Sequence, residues 1–135
     1  MIPILLLFVV HFFGDFVFQS SKMATGKSKS IKWLSIHVGV YGLVSLISLI
    51  ILGSFYHNFL FGFYWWITNV ILHFVVDFFT SKITSRFWEQ KNMRFFFVMI
   101  GFDQLLHAIC LISTFFIFQD LINLSKYIQE MFFVY

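Results

Sequence analysis

His11, Asp15 and Gln19 stand four residues apart in the stretch HFFGDFVFQ, and Asn69, His73 and Asp77 repeat that spacing further along the chain. Asp103 and His107 form the same pair in reverse order, and His37 is followed one turn later by Tyr41. Residues four apart share one side of a helix, so each of these three Asp residues has a His for a neighbour. Neutral imidazole and carboxylate are the ligands that zinc, iron and manganese take in catalytic sites. His11, Asp15, His37, His73, Asp77, Asp103 and His107 are therefore the candidate metal ligands.

With neutral histidines the seven carry three negative charges. One divalent ion leaves a single negative charge, and two leave a single positive one that a bridging hydroxide would cancel. The balance favours two ions, so one or two of zinc, iron or manganese are expected. Gln19, Tyr41, Asn69 and Gln104 suit hydrogen bonds that orient the ligands. The rival account pairs each Asp with its own His, which leaves His37 over, and buried ion pairs stabilise less well than apolar packing. Cys110 reads as packing, and His57 lies in a loop with no assigned role.

The surroundings of these groups are apolar. Of 135 residues, 60% are hydrophobic and 11% charged, with 22 Phe and one Pro, whereas soluble domains average about 25% charged. Four stretches, 2–19, 31–53, 59–80 and 95–118, are each about long enough to cross a hydrocarbon core of about 30 Å as a helix. The expected fold is all-α: a four-transmembrane-helix bundle over 1–118. HFFGDF at 11–16 and HFVVDF at 73–78 agree at four of six positions, which suggests two pseudo-repeated hairpins. Residues 119–135 set Leu121, Leu124, Ile128 and Met131 opposite Asp120, Asn123, Lys126 and Glu130, the pattern of a C-terminal amphipathic interfacial helix. Tyr64, Trp65 and Trp66 read as interfacial or lipid-facing aromatics. The lysines follow the first apolar stretch instead of preceding it, so that stretch reads as a span and not as a cleaved signal.

Basic residues cluster at Lys22, Lys27, Lys29 and Lys32, and again at Lys82, Arg86, Lys91 and Arg94, while Ser54–Asn58 has none. Both basic loops are thus expected in the cytoplasm and both chain ends outside. The same bias accounts for the net charge of +3 without any nucleic-acid partner. Counted from the cytoplasmic ends, all seven ligand candidates fall in one layer about 5–18 Å below the inner surface. An intramembrane Asp costs about 2.5–3.5 kcal/mol, so three cost about 8–10, against a total domain stability of about 5–15 kcal/mol. Such a cost calls for a neutralising partner.

HFFGDFVFQ at 11–19, LSIHVGVY at 34–41, HFVVD at 73–77 and DQLLH at 103–107 together resemble domain-of-unknown-function family 3307, over about residues 1–118 with the tail outside. The resemblance implies a bacterial or phage multi-span membrane protein, here of the bacterial cytoplasmic (inner) membrane, and brings no activity with it. The residues themselves point to a metal-dependent membrane hydrolase or transferase acting on a lipid-like small molecule that carries a phosphate. Lys22, Lys82 and Arg86 stand where an anionic headgroup would arrive. Two other classes remain open: a proton- or metal-ion-coupled transporter or channel subunit, working as a homo-oligomer, and a structural partner subunit of a membrane complex. Polar groups confined to one half of the membrane favour a pocket over a through-path.

Overall fold

The computed structural model describes residues 2–133. α1 (Ile2–Phe12) passes into a single π turn (Phe13–Val17), where the Phe18 N–H donates to the Phe13 carbonyl at 2.9 Å. The chain then leaves the helix at Gln19. Ser20 Oγ accepts from the Met23 N–H at 3.4 Å and caps the short α2 (Ser21–Gly26).

α3 (Ile31–Tyr56) ends where His57 adopts a left-handed conformation (φ 50°) and the Asn58 N–H closes on the Gly53 carbonyl at 3.0 Å. The Asn58 side chain accepts from the Phe61 N–H at 3.1 Å and starts α4 (Phe59–Glu89). His57 thus serves the backbone of a tight helix–helix turn. A second such turn places Lys91 at φ 56° and uses Asn92 to cap α5 (Met93–Phe133).

α4 is the central element, packing along α3 on one side and α5 on the other, while α1 and the π turn lie against α3. The α3–α4 approach is close because Gly62 has no side chain; a Cβ there would stand 2.5 Å from the Leu49 carbonyl oxygen. Leu7, Leu52, Phe61, Trp65, Leu111 and Phe115 form the apolar core.

Burial is inverted relative to a water-soluble protein. His37, His73 and Asp77 are at most 1% exposed, while Leu43 is 70% and Phe97 63% exposed. Polar groups inside and large apolar groups outside are what a hydrocarbon solvent selects. α3, α4 and α5 are each long and apolar enough to cross a membrane.

Several elements differ from the expected pattern. The first apolar helical run stops at Val17; at 1.5 Å per residue it reaches about 24 Å, short of the about 30 Å of a full crossing. The π turn and the Ser20 cap end it. The repeat is not matched locally, because 11–16 runs from α1 into the π turn whereas 73–78 lies in unbroken α-helix. Residues 119–133 continue α5 without interruption, since no Gly or Pro stands near Phe118–Asp120 to start a separate helix; Val134 and Tyr135 lie outside the described residues. Trp65, expected at the lipid surface, is buried and donates to the Leu111 carbonyl at 3.4 Å. Trp66 is half-buried and donates to the Gly42 carbonyl at 3.0 Å and Ser45 Oγ at 3.2 Å. Tyr64 alone of the three is largely exposed.

Candidate metal centre

The four polar rows converge at one end of the bundle. Asp15 enters from the π turn, His37 from α3, His73 and Asp77 from α4, and Asp103 and His107 from α5. Gly14 lets the π turn settle against Tyr41, whose ring carbon would lie 3.0 Å from a Cβ at that position. π turns commonly mark functional sites, and this one delivers a carboxylate.

Asp15, His37, His73 and Asp77 each present one ligand atom, and the four atoms all lie within 4.8 Å of one another. His37 Nε2 stands 3.1 Å from His73 Nε2, 3.2 Å from Asp15 Oδ1 and 3.0 Å from Asp77 Oδ2. His73 Nε2 stands 3.6 Å from each of the same two carboxylate oxygens. Zinc–nitrogen and zinc–oxygen bonds of about 2.0–2.1 Å in a tetrahedron give ligand–ligand edges of about 3.3–3.4 Å. The five separations bracket that value. A neutral imidazole nitrogen has only one proton to offer, so hydrogen bonds between neutral imidazoles and carboxylates cannot satisfy all of these contacts at once.

A second group, Asp15, Asp103 and His107, meets the same 4.8 Å limit and shares Asp15 with the first. His107 Nε2 lies 3.6 Å from Asp103 Oδ1 and 3.6 Å from Asp77 Oδ1, and has no hydrogen-bond partner. Asp103 is already engaged, accepting from the Thr80 hydroxyl and from Gln104 Nε2. His11 completes the ring of imidazoles, with Nε2 at 3.7 Å from Asp15 Oδ2. The His73 ring stacks on Tyr41 at 3.8 Å and faces His107 at 4.3 Å, which fixes its plane from both sides.

Of the four residues expected to orient the ligands, two make side-chain hydrogen bonds to ligand candidates. Gln104 Nε2 donates to Asp15 Oδ2 at 2.8 Å and Asp103 Oδ2 at 3.0 Å, and the Tyr41 hydroxyl shares a hydrogen bond with His11 Nδ1 at 3.2 Å. Asn69 donates instead to the Trp65 carbonyl and Thr114 Oγ1, both at 2.8 Å, and braces α4 against α5. Gln19 borders a cavity beside the cluster, and its Oε1 has no partner. His37 Nδ1 and His73 Nδ1 are also unpartnered, so stacking and packing hold these rings. Cys110 belongs to neither ligand group.

The structure adds one residue that the sequence reading passed over. Lys27, between α2 and α3, turns inward, and its Nζ donates to Asp77 Oδ2 at 2.9 Å with only 13% of the side chain exposed. Burial opposes its charge, but Asp77 and Asp15 outweigh that and hold the ammonium above its ordinary pKa. Its presence changes the charge balance. Three carboxylates and one ammonium leave two negative charges, which a single divalent ion cancels, so one ion replaces two as the balanced loading. Lys22, Lys82 and Arg86 do not reach this place. Lys22 borders a separate shallow pocket, Lys82 Nζ lies 3.3 Å above the Phe78 ring, and Arg86 is exposed outside the cavity.

Beside the cluster lies a cavity of about 520 Å³ whose floor is formed by Asp15, Asp77 and Asp103. It runs along α4 toward Glu89, and the loop that carries Lys27 and Lys29 covers one side. The whole is an all-helical, lipid-adapted protein with a His/Asp cluster able to hold a metal ion at the base of an open cavity. The chain belongs to the family described as protein of unknown function (DUF3307), whose model matches residues 4–135. The match extends through the tail that the motifs alone had left outside. No curated protein and no solved structure matches the chain.

Proposed function

We propose that this protein is a metal-dependent membrane enzyme that hydrolyses or transfers a group of a lipid-like, phosphate-bearing molecule. The observation that carries the proposal is the convergence of Asp15, His37, His73 and Asp77, one ligand atom from each lying within 4.8 Å of the others, with Asp15 and Asp77 also lining a cavity large enough for a ligand. Asp15, His37, His73 and Asp77 would hold a divalent ion, which would supply Lewis-acid activation of a reacting oxygen or phosphoryl group. In hydrolysis, water's hydroxyl goes to the phosphoryl or acyl centre and its proton to the departing oxygen. Asp103, which lines the cavity, together with His107 Nε2 at 3.6 Å behind it, would carry that proton. Lys27 neutralises one ligand carboxylate and adds positive charge next to the reacting group.

In this reading the two basic loops face the cytoplasm, the protein lies in the bacterial inner membrane, and α1 enters the bilayer from the opposite face without spanning it fully. Membrane lipids are its surroundings and its source of substrate. The test is hydrolysis of phosphate-bearing lipids in proteoliposomes. Activity that chelation abolishes, that a divalent ion restores and that Asp77→Ala removes is the expected result. Metal-dependent ion flux without hydrolysis would instead establish the transporter reading.

A further inference from the structure

We infer that the cavity beside the cluster receives the glycerol- or sugar-phosphate head of a membrane amphiphile, whose apolar chain leaves sideways between the π turn and α5. The inference rests on the enzyme reading above and assigns its substrate class.

The cavity has two unlike walls. On the polar side Ser81 is only 9% exposed, yet its Oγ has no hydrogen-bond partner. Gln19 Oε1, on the facing segment, is likewise buried and unpartnered. Leaving such atoms unpaired is costly, and both residues border the same cavity. With the two side chains turned toward the cavity, hydroxyl groups on a ligand would meet both needs, since a hydroxyl donates to an amide oxygen and exchanges a bond with a serine. One turn beyond, Thr84 and Ser85 extend the hydroxylated surface along α4. Lys27 stands at the ligand-cluster end and Lys29 at the mouth, so an anionic ester linkage has a cation on each side. Glu89, also at the mouth, is 3.9 Å from Lys29, with both side chains mostly in solvent.

The opposite wall is Phe16, Phe96 and Ile100. Phe16 is 41% exposed and the other two are half-buried, so this wall is continuous with the lipid-facing exterior. A water-soluble sugar phosphate would leave this wall bare. An amphiphile covers both: the hydroxylated head lies on α4, the phosphate sits between the cluster and the lysines, and the chain rests on the aromatic side. From Asp77 to Glu89 the cavity follows twelve residues of α4, or about 18 Å, which suits a phosphorylated polyol and the first carbons of a chain.

The experiment measures binding of three probes to the full-length, metal-loaded protein in detergent: dioctanoyl phosphatidylglycerol, dioctanoyl phosphatidylcholine and glycerol 3-phosphate. Metal content is determined separately. Phosphatidylglycerol is expected to bind at least tenfold more tightly than the other two. Ser81→Ala and Gln19→Leu should each cut that preference over phosphatidylcholine several-fold, at unchanged metal content. Equal binding of phosphatidylcholine overturns the hydroxyl reading, and equal binding of glycerol 3-phosphate overturns the membrane source. Failure of all three probes on metal-loaded protein overturns the inference and leaves the metal centre standing. Selective binding without metal or hydrolysis keeps this inference and removes the enzyme reading.

Discussion

Replacing Lys27 by Met tests the charge balance of the cluster. The substitution keeps an unbranched apolar stem as far as the ε-carbon and removes the ammonium that meets Asp77 Oδ2 at 2.9 Å. Breaking a buried pair by deleting one partner costs about 3–5 kcal/mol. Because 13% of the lysine remains accessible, the lower end applies, about 3 kcal/mol in metal-free protein. That is a large part of the about 5–15 kcal/mol that holds a domain together. Two consequences follow. In the double variant Lys27→Met/Asp77→Asn the second change removes the stranded charge, so the two effects should fall short of additivity by about 1–3 kcal/mol. Metal should also stabilise Lys27→Met more than it stabilises the parent, because the ion then answers three negative charges instead of two. Unfolding by denaturant in detergent, with and without a divalent ion, reads both effects. A Lys27→Met variant within about 0.5 kcal/mol of the parent, the range of ordinary surface substitutions, would refute the reasoning.

Three other outcomes are expected. Gln104→Leu strips the donor from Asp15 Oδ2 and Asp103 Oδ2 and should weaken metal binding about 10–100-fold, read by competition with a chromophoric chelator. Gly62→Ala forces α3 and α4 apart at Leu49, with a loss of about 1–3 kcal/mol as in other overpacked contacts, read by thermal unfolding in detergent. Trp66→Phe gives up the bonds to the Gly42 carbonyl and Ser45 Oγ and should cost about 1–2 kcal/mol, whereas Tyr64→Phe on the exposed side should cost almost nothing.

The helical class and the convergence of His and Asp could be read from spacing alone, because residues four apart on an apolar helix must share a face and must be compensated somewhere. Gln104, a polar residue on an otherwise apolar stretch, was legible as a hydrogen-bonding neighbour of the ligand candidates, and it donates to Asp15 and Asp103. Spacing carries no record of the π turn, which depends on how FGDFV, with Gly14 in its middle, packs over Tyr41. It also cannot distinguish an aromatic that faces lipid from one that fills the core; Trp65 and Tyr64 are neighbours in sequence, yet Trp65 is buried and Tyr64 is exposed. Lys27 was hidden because a lysine in a basic loop looks like every other topogenic lysine. Three-dimensional proximity to Asp77, fifty residues away, is what sets it apart. A demand that each intramembrane carboxylate find a cation would have sent the search into that loop.

X-ray absorption at the edge of the bound metal, with elemental analysis of protein purified without chelators, tests the central claim most directly. The account predicts one divalent ion per chain, four nitrogen and oxygen ligands at about 2.0–2.1 Å, imidazole scattering from two rings, and loss of the ion in His37→Ala and Asp77→Ala variants that remain folded. A protein with no stoichiometric metal, or a bound metal whose spectrum shows no imidazole, would contradict it.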